Sequence, residues 1–144
     1  MTDVKKKSVG FAAIEFVDDG CTLGVGTGST VDFFIEALAS ANSKPSIIVS
    51  TSKRTDSLLE KYGLSTVSLL SVKKQLDVYI DGADEVDKKL NLIKGGGGAL
   101  TSEKIVAASA QQFVCIVDDS KIVDKLGSFP LPIEIVPSAR ELIT

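Results

Sequence analysis

Carboxylates, one lysine and bare backbone amides crowd into the stretch from residue 81 to residue 103: Asp81-Gly82-Ala83-Asp84, then Lys94 and the run Gly95-Gly96-Gly97-Gly98, then Glu103. Consecutive glycines are costly to order, so a folded chain keeps them where backbone must approach something closely. Acids and an ammonium beside such a run suit a polar small molecule undergoing proton transfer. The chain contains no histidine. That excludes histidine-based triads and leaves carboxylate and lysine for acid–base work.

Each of these groups also has a plainer reading. Asp81 and Asp84 can form an Asx-type turn with acids facing solvent. Two acids together, with Glu85 beside them, instead push one another's pKa upward and separate acid from base roles. Lys94 can be a surface lysine, or it can meet a developing oxyanion and hold the neighbouring aspartates ionised. The run Gly95–Gly98 can be a linker, but apolar segments flank it closely on both sides. Glu103 can belong to a capping box or answer a helix dipole; without histidine it is also the natural base.

A second glycine-rich turn, Gly24-Val25-Gly26-Thr27-Gly28-Ser29-Thr30, lies upstream. It lacks the third glycine of a dinucleotide fingerprint and has no Gly-Lys-Ser/Thr of a Walker loop. The residues Thr27, Gly28, Ser29 and Thr30 remain as amides and hydroxyls at a predicted helix N-terminus, where unpaired N–H groups favour an anion. The plainer alternative is a strand-to-helix turn capped by Ser29 or Thr30. Lys121, after Asp118-Asp119-Ser120, can bind an anion or pair with those acids.

The elements that must position these groups follow from apolar spacing. Helices are predicted over 4–17, 31–41, 52–62 and 101–110, with Gly20 and Gly63 as stops and Thr101 as an N-cap. Strands are predicted at 21–25, 46–50, 65–70, 77–80, 91–93, 113–117 and 133–136. Strands alternate with helices and are continuous apolar runs. The predicted fold is therefore α/β, an open, mostly parallel, Rossmann-like sheet with helices on both faces. Ligands of such sheets sit at the carboxyl ends of strands, where both glycine turns, the 81–84 turn and Lys121 fall.

The 144 residues are one domain's worth, and the net charge of −3 comes from acids and bases mixed along the chain. No basic stripe points to nucleic acid, and apolar runs of strand length give no membrane span. The three lysines within residues 1–7 precede no apolar stretch, so they do not form a secretory signal. Cys21 and Cys115 match no metal or redox spacing. They read as small buried hydrophobes in a reducing, cytoplasmic setting.

The ordered set of motifs resembles ribose-5-phosphate isomerase of type A. The matching segments are Val25-Gly-Thr-Gly-Ser-Thr30, Tyr79-Ile-Asp-Gly-Ala-Asp-Glu85, Ile93-Lys-Gly-Gly-Gly97, Ala99-Leu-Thr101 with Glu103-Lys104, Asp119-Ser-Lys121 and Phe129-Pro-Leu-Pro132. The resemblance implies interconversion of ribose 5-phosphate and ribulose 5-phosphate in the non-oxidative pentose phosphate pathway, without metal or organic cofactor. It implies that Glu103 shuttles a proton between C1 and C2 through an enediol(ate). Asp81, Asp84 and Lys94 would line the substrate, with Gly82, Ala83, Gly95, Gly96 and Gly97 beside them. Thr27, Gly28, Ser29, Thr30 and Lys121 would bind substrate, with the phosphate near the 27–30 turn and in contact with Lys6. A homodimer or homotetramer of the full-length form is implied as well.

Members of that family run past residue 144, add a small α/β domain and return to the first sheet. A helix begun at Ser138 stops within about two turns. The expectation is one domain over 1–144, either a fragment cut within the crossover to a missing second domain or an unusual short form. Gly98 stands where relatives often carry alanine. Two competing readings are a sugar-phosphate-binding or sensing module without catalysis, and a nucleotide-binding Rossmann domain. The cluster of Glu103, Asp81, Asp84 and Lys94 argues against the first, and the absent third glycine against the second.

Overall fold

The computed structural model describes residues 2–128, 130–131 and 133–143. Phe129 and Pro132 of the Phe129–Pro132 segment, and the terminal residues Met1 and Thr144, lie outside them. The chain opens with helix α1 (Thr2–Ala12), drawn out by a 3-10 turn over Ala13–Phe16. Strand β1 (Thr22–Val25) leads to helix α2 (Ser29–Ser40), strand β2 (Ile47–Ser50) and helix α3 (Lys53–Lys61). Next come β3 (Leu76–Asp81), β4 (Glu85–Val86), β5 (Leu92–Ile93), α4 (Leu100–Ala108), β6 (Ala110–Cys115) and the short α5 (Arg140–Ile143).

The main sheet has the order β2-β1-β3-β6 and is parallel throughout. β4 and β5 form a separate antiparallel ribbon. The chain steps outward from β1 to β2, then returns to place β3 on the opposite side of β1. That reversal opens a crevice between the carboxyl ends of β1 and β3, the switch point at which such sheets bind ligands.

Alternation along the strands divides the core between two faces. Leu23, Val25, Ile48, Val78 and Ile80 pack with Ala13, Phe34, Ile35, Leu38 and Leu59 from the α1, α2 and α3 side. Val49 and Tyr79 pack with Val106 of α4 on the other, joined by Leu76 from the start of β3. Helices therefore cover both faces, as the unbroken apolar strands predicted. In α2 the buried residues Val31, Phe34, Ile35 and Leu38 form one stripe. Each large side chain fully buried there contributes about 1.5–3 kcal/mol. Ser52 caps α3 by accepting from the Thr55 amide at 3.1 Å, and the positive φ of Gly63 ends it. No helix among the described residues is long and apolar enough to cross a membrane.

Four expectations about elements are corrected. The stretch 65–70 is loop and 3-10 turn, because one ladder bond, from the Val67 amide to the Ile48 carbonyl at 2.9 Å, is all that ties it to β2. Its polar side chains turn elsewhere: Thr66 donates to Asp56 and Ser68 accepts from the Leu70 amide. Leu70 is left 97% exposed. Residues 133–136 form no strand, since Ile133 and Val136 are exposed and prolines punctuate the segment. Ala99, not Thr101, is the N-cap of α4; the Thr101 hydroxyl donates to Glu134 at 2.6 Å. The last sheet strand occupies 110–115 rather than 113–117. Cys21 is buried and Cys115 half-buried, and both are free thiols; burial raises the Cys115 pKa to about 11.

Gly10 lets α1 lie directly on α2. A Cβ there would fall 2.7 Å from the Phe34 amide nitrogen and 2.9 Å from the Phe33 carbonyl carbon, backbone atoms that cannot swing aside. Alanine's helical preference, worth about 1 kcal/mol, favours the substitution, but overpacking at about 1–3 kcal/mol opposes it. Gly10→Ala is expected to lower the urea midpoint. An unchanged or higher midpoint would show that the helix pair is not held this closely.

Candidate active site

The site is built around the last residue of β3. Asp81 is wholly buried. Its Oδ1 accepts from the Thr27 amide at 3.1 Å and the Gly82 amide at 2.8 Å. Its Oδ2 accepts from Lys94 Nζ at 2.8 Å and from the Tyr79 hydroxyl. Four donors from three segments thus satisfy one buried carboxylate. Gly26 makes room for it: a Cβ there would sit 1.9 Å from Asp81 Cγ.

Lys94 Nζ also donates to the Gly82 carbonyl at 2.6 Å and lies 3.3 Å from Glu103 Oε2. Burial works against the Lys94 charge, but Asp81 and Glu103 outweigh it and hold the ammonium above its ordinary pKa. Glu103 stands in the first turn of α4 and is 4% exposed. Its Oε2 has the ion pair with Lys94 but no aligned hydrogen bond. Burial first, then the Asp81 charge, push the Glu103 pKa up, with Lys94 pulling the other way. A carboxyl so treated keeps its affinity for a proton and becomes a better base than an exposed glutamate.

The glycine run is ordered turn rather than linker. Its ends close through the Gly98 amide and the Gly95 carbonyl at 2.9 Å, and Gly95 and Gly98 both have positive φ. Asp84 fastens it: its amide donates to the Ile93 carbonyl at 2.8 Å, and its Oδ2 accepts from the Gly96 amide at 2.9 Å. Glu85 turns away from the cleft, accepting from the Gly127 amide at 2.7 Å and from the Ser128 hydroxyl.

At the far end of the cleft α2 begins. Its N-cap is Gly28, and no side chain caps it. Ser29 and Thr30 are helix residues, so the alternative in which one of them caps the turn is not realised. The Ser29 hydroxyl accepts from Lys6 Nζ at 2.9 Å instead. The open amides of the first turn and the Lys6 ammonium make this end attractive to an anion.

The cleft between these parts has a volume of about 310 Å³. Lys6, Thr27, Gly28, Ser29 and Thr30 line one end of it. Gly82, Ala83, Asp84 and Lys94, then Gly95, Gly96, Gly97 and Glu103, line the rest, together with Lys121. Asp81 alone of the expected site residues is not on the wall; it lies behind Lys94 as a partner of other side chains. Two residues were missed. Arg54 of α3 reaches the rim, paired with Asp32 at 2.8 and 2.5 Å. No local motif marks it, because only the pairing of β1 with β2 brings the starts of α2 and α3 together. Tyr79 was legible, since residues two apart on a strand share a face.

Comparison with known proteins agrees with this geometry. The family model for ribose 5-phosphate isomerase A (phosphoriboisomerase A) matches residues 47–144. A relative from Blochmanniella pennsylvanica, ribose-5-phosphate isomerase A, is 53% identical over 138 residues, covering 96% of this chain and 63% of its own. The crystal structure of ribose 5 phosphate isomerase A from Neisseria gonorrhoeae superposes with a TM-score of 0.95 at 52% identity, over 99% of this chain and 63% of that one. A D-ribose-5-phosphate isomerase solved in complex with phospho-erythronic acid superposes with a TM-score of 0.93 at 40% identity, over 99% of this chain and 64% of that one. The chain therefore spans about 63% of the length of the curated relatives it matches.

Because the Glu103 pKa is raised on folding, the folded state holds that proton more tightly than the unfolded state. The associated stability is full below the ordinary glutamate range, about 4.3, and is lost as pH rises through the raised value. Glu103→Gln escapes that loss, while Lys94 keeps Asp81 and the Gly82 carbonyl. The substitution is expected to raise Tm at pH 7, with the gain shrinking toward pH 4. Thermal melts showing the same difference at both pH values would contradict the linkage.

Proposed function

The chain belongs to the ribose 5-phosphate isomerase A family, and we propose that its cleft interconverts D-ribose 5-phosphate and D-ribulose 5-phosphate by proton transfer through an enediol(ate). The observation that carries this reading is the buried Glu103 carboxyl, its proton affinity raised, 3.3 Å from the Lys94 ammonium on the wall of a cleft that ends at the open start of α2.

An aldose–ketose shift needs one base over two adjacent carbons, an electrophile for the charge on oxygen and an anchor for the phosphate. Glu103 takes the proton from C2 of the open-chain aldose and returns it to C1. Lys94 faces the oxygen on which negative charge grows; a donor of that kind is worth about 3–4 kcal/mol. The phosphate lies at the first turn of α2, between the amides of Ser29 and Thr30, with Lys6 and Lys121 beside it. Asp84 and the amides of the 82–84 and 95–97 turns offer partners for the sugar hydroxyls. The oxidation change is internal to the sugar, so the reaction needs no electron carrier.

Phospho-erythronic acid, bound by the relative at 40% identity, is consistent with this assignment. Its carboxylate sets two oxygens on one flat carbon, and an enediolate is also planar with its charge on oxygen. A module that only binds sugar phosphate has no use for a buried, incompletely satisfied carboxyl, which reduces stability. The same reading takes residues 1–144 as one site-bearing domain. It assigns the reaction to the non-oxidative pentose phosphate pathway in the cytoplasm, carried out by a homo-oligomer.

Glu103→Gln is expected to lower kcat by about 10²–10⁴-fold, the usual worth of a general base, with ribose 5-phosphate still bound. Substantial residual isomerisation, followed as ribulose 5-phosphate formed by the intact gene product, would remove Glu103 from that role. Thr30→Ala is expected to raise KM for ribose 5-phosphate and leave kcat near the parent value. Unchanged KM would move the phosphate away from α2.

A further inference from the structure

We propose that Tyr79 is a positioning residue of this site, whose hydroxyl, by donating to Asp81 Oδ2, fixes how the Lys94 ammonium is shared between Asp81 and Glu103. The inference deepens the isomerase reading and rests on it for its kinetic consequence.

Tyr79 is wholly buried on β3, on the same face as Asp81 two residues on. Its ring is stacked on Phe113 of β6, with centroids 5.3 Å apart and planes 23° apart, which holds the hydroxyl in one direction. The phenol does not line the cleft and is out of reach of a substrate there. Burial and the adjoining Asp81 charge push its pKa far above the ordinary tyrosine value, so it remains a donor at any working pH.

Two donors meet at Asp81 Oδ2, the phenol and Lys94 Nζ, the latter at 2.8 Å. The phenol answers part of the carboxylate's charge and leaves Lys94 free to lean toward Glu103 Oε2 at 3.3 Å. Without the hydroxyl, Asp81 Oδ2 draws Lys94 closer. Glu103 then loses part of its ammonium and faces a less screened Asp81. The groups that bear on Glu103 are Lys94 from the glycine turn, Asp81 and the Tyr79 phenol from β3, and Asp84 from the turn between β3 and β4. Of these, Lys94 lowers the Glu103 pKa and the carboxylates raise it, so both consequences of losing the hydroxyl act upward.

Tyr79→Phe keeps the ring and its stack and removes only the donor. In the intact gene product, the acid limb of kcat/KM for ribose 5-phosphate is expected to move up by about 0.5–1 pH unit, the net effect of one hydrogen bond, with KM unchanged. The Glu103 midpoint in carbon-13 glutamate titrations by NMR is expected to rise with it. Leu38→Ala, in the core on the opposite face of the sheet, serves as the structural control, lowering Tm without moving that midpoint. Should Tyr79→Phe fail to fold, 3-fluorotyrosine at both tyrosines replaces it, Tyr62 being exposed at the end of α3. The more acidic phenol donates more strongly and is expected to move the Glu103 midpoint down. A midpoint that coincides with the parent's overturns the proposal. If the parent protein does not isomerise ribose 5-phosphate, the isomerase reading fails on its own, while the titration still decides the role of Tyr79.

Discussion

One buried carboxylate organises this molecule. Asp81 takes two backbone amides on one oxygen and an ammonium and a phenol on the other. Those donors come from the end of β1, from β3 itself and from the loop after β5. A carboxylate removed from water is tolerated only when its partners are complete, because each missing one would cost the full desolvation of that lone pair. The requirement therefore works in reverse as well. It fixes the Thr27 turn against β3, and it draws Lys94, with the glycine run behind it, over the end of the sheet. The geometry of the cleft is a consequence of satisfying Asp81.

Glu103 is treated in the opposite way. It is nearly as buried as Asp81 but has an ion pair where Asp81 has a full set of hydrogen bonds. The difference between the two carboxyls is one of environment, not of residue type. Asp81 is held as an acceptor, while Glu103 retains a strong affinity for a proton. Lys94 stands between them and couples the two. Local instability of this kind is expected at a site that must exchange a proton, since a fully satisfied carboxyl would have no reason to do so.

The anion end depends on a different economy. Nothing caps α2, so its first-turn amides remain open. Charges are nevertheless balanced nearby: Lys6 rests on Ser29, and Arg54 covers Asp32, an acid in the first turn of the same helix. Exposed pairs of this sort contribute little to stability. Their effect is to leave the approach to the helix start free of bare negative charge.

The order of residues alone prescribed the alternation of strands and helices, the parallel sheet and most of the cleft wall, but not that Asp81 lies behind it. Continuous apolar runs alternating with helices favour a parallel sheet covered on both faces, and chemistry-bearing residues placed just after its strands gather at one edge. It could not determine the state of 65–70 or 133–136, whose β-like composition is overruled by the lack of a partner ladder. It also could not separate Asp81 from Glu103, nor reveal Arg54 at the rim. Those distinctions arise from burial and from contacts across 13 to 22 positions of chain, such as Lys94 with Asp81 and Arg54 with Asp32. Local pattern carries no record of which side chains a closed tertiary structure will deprive of water.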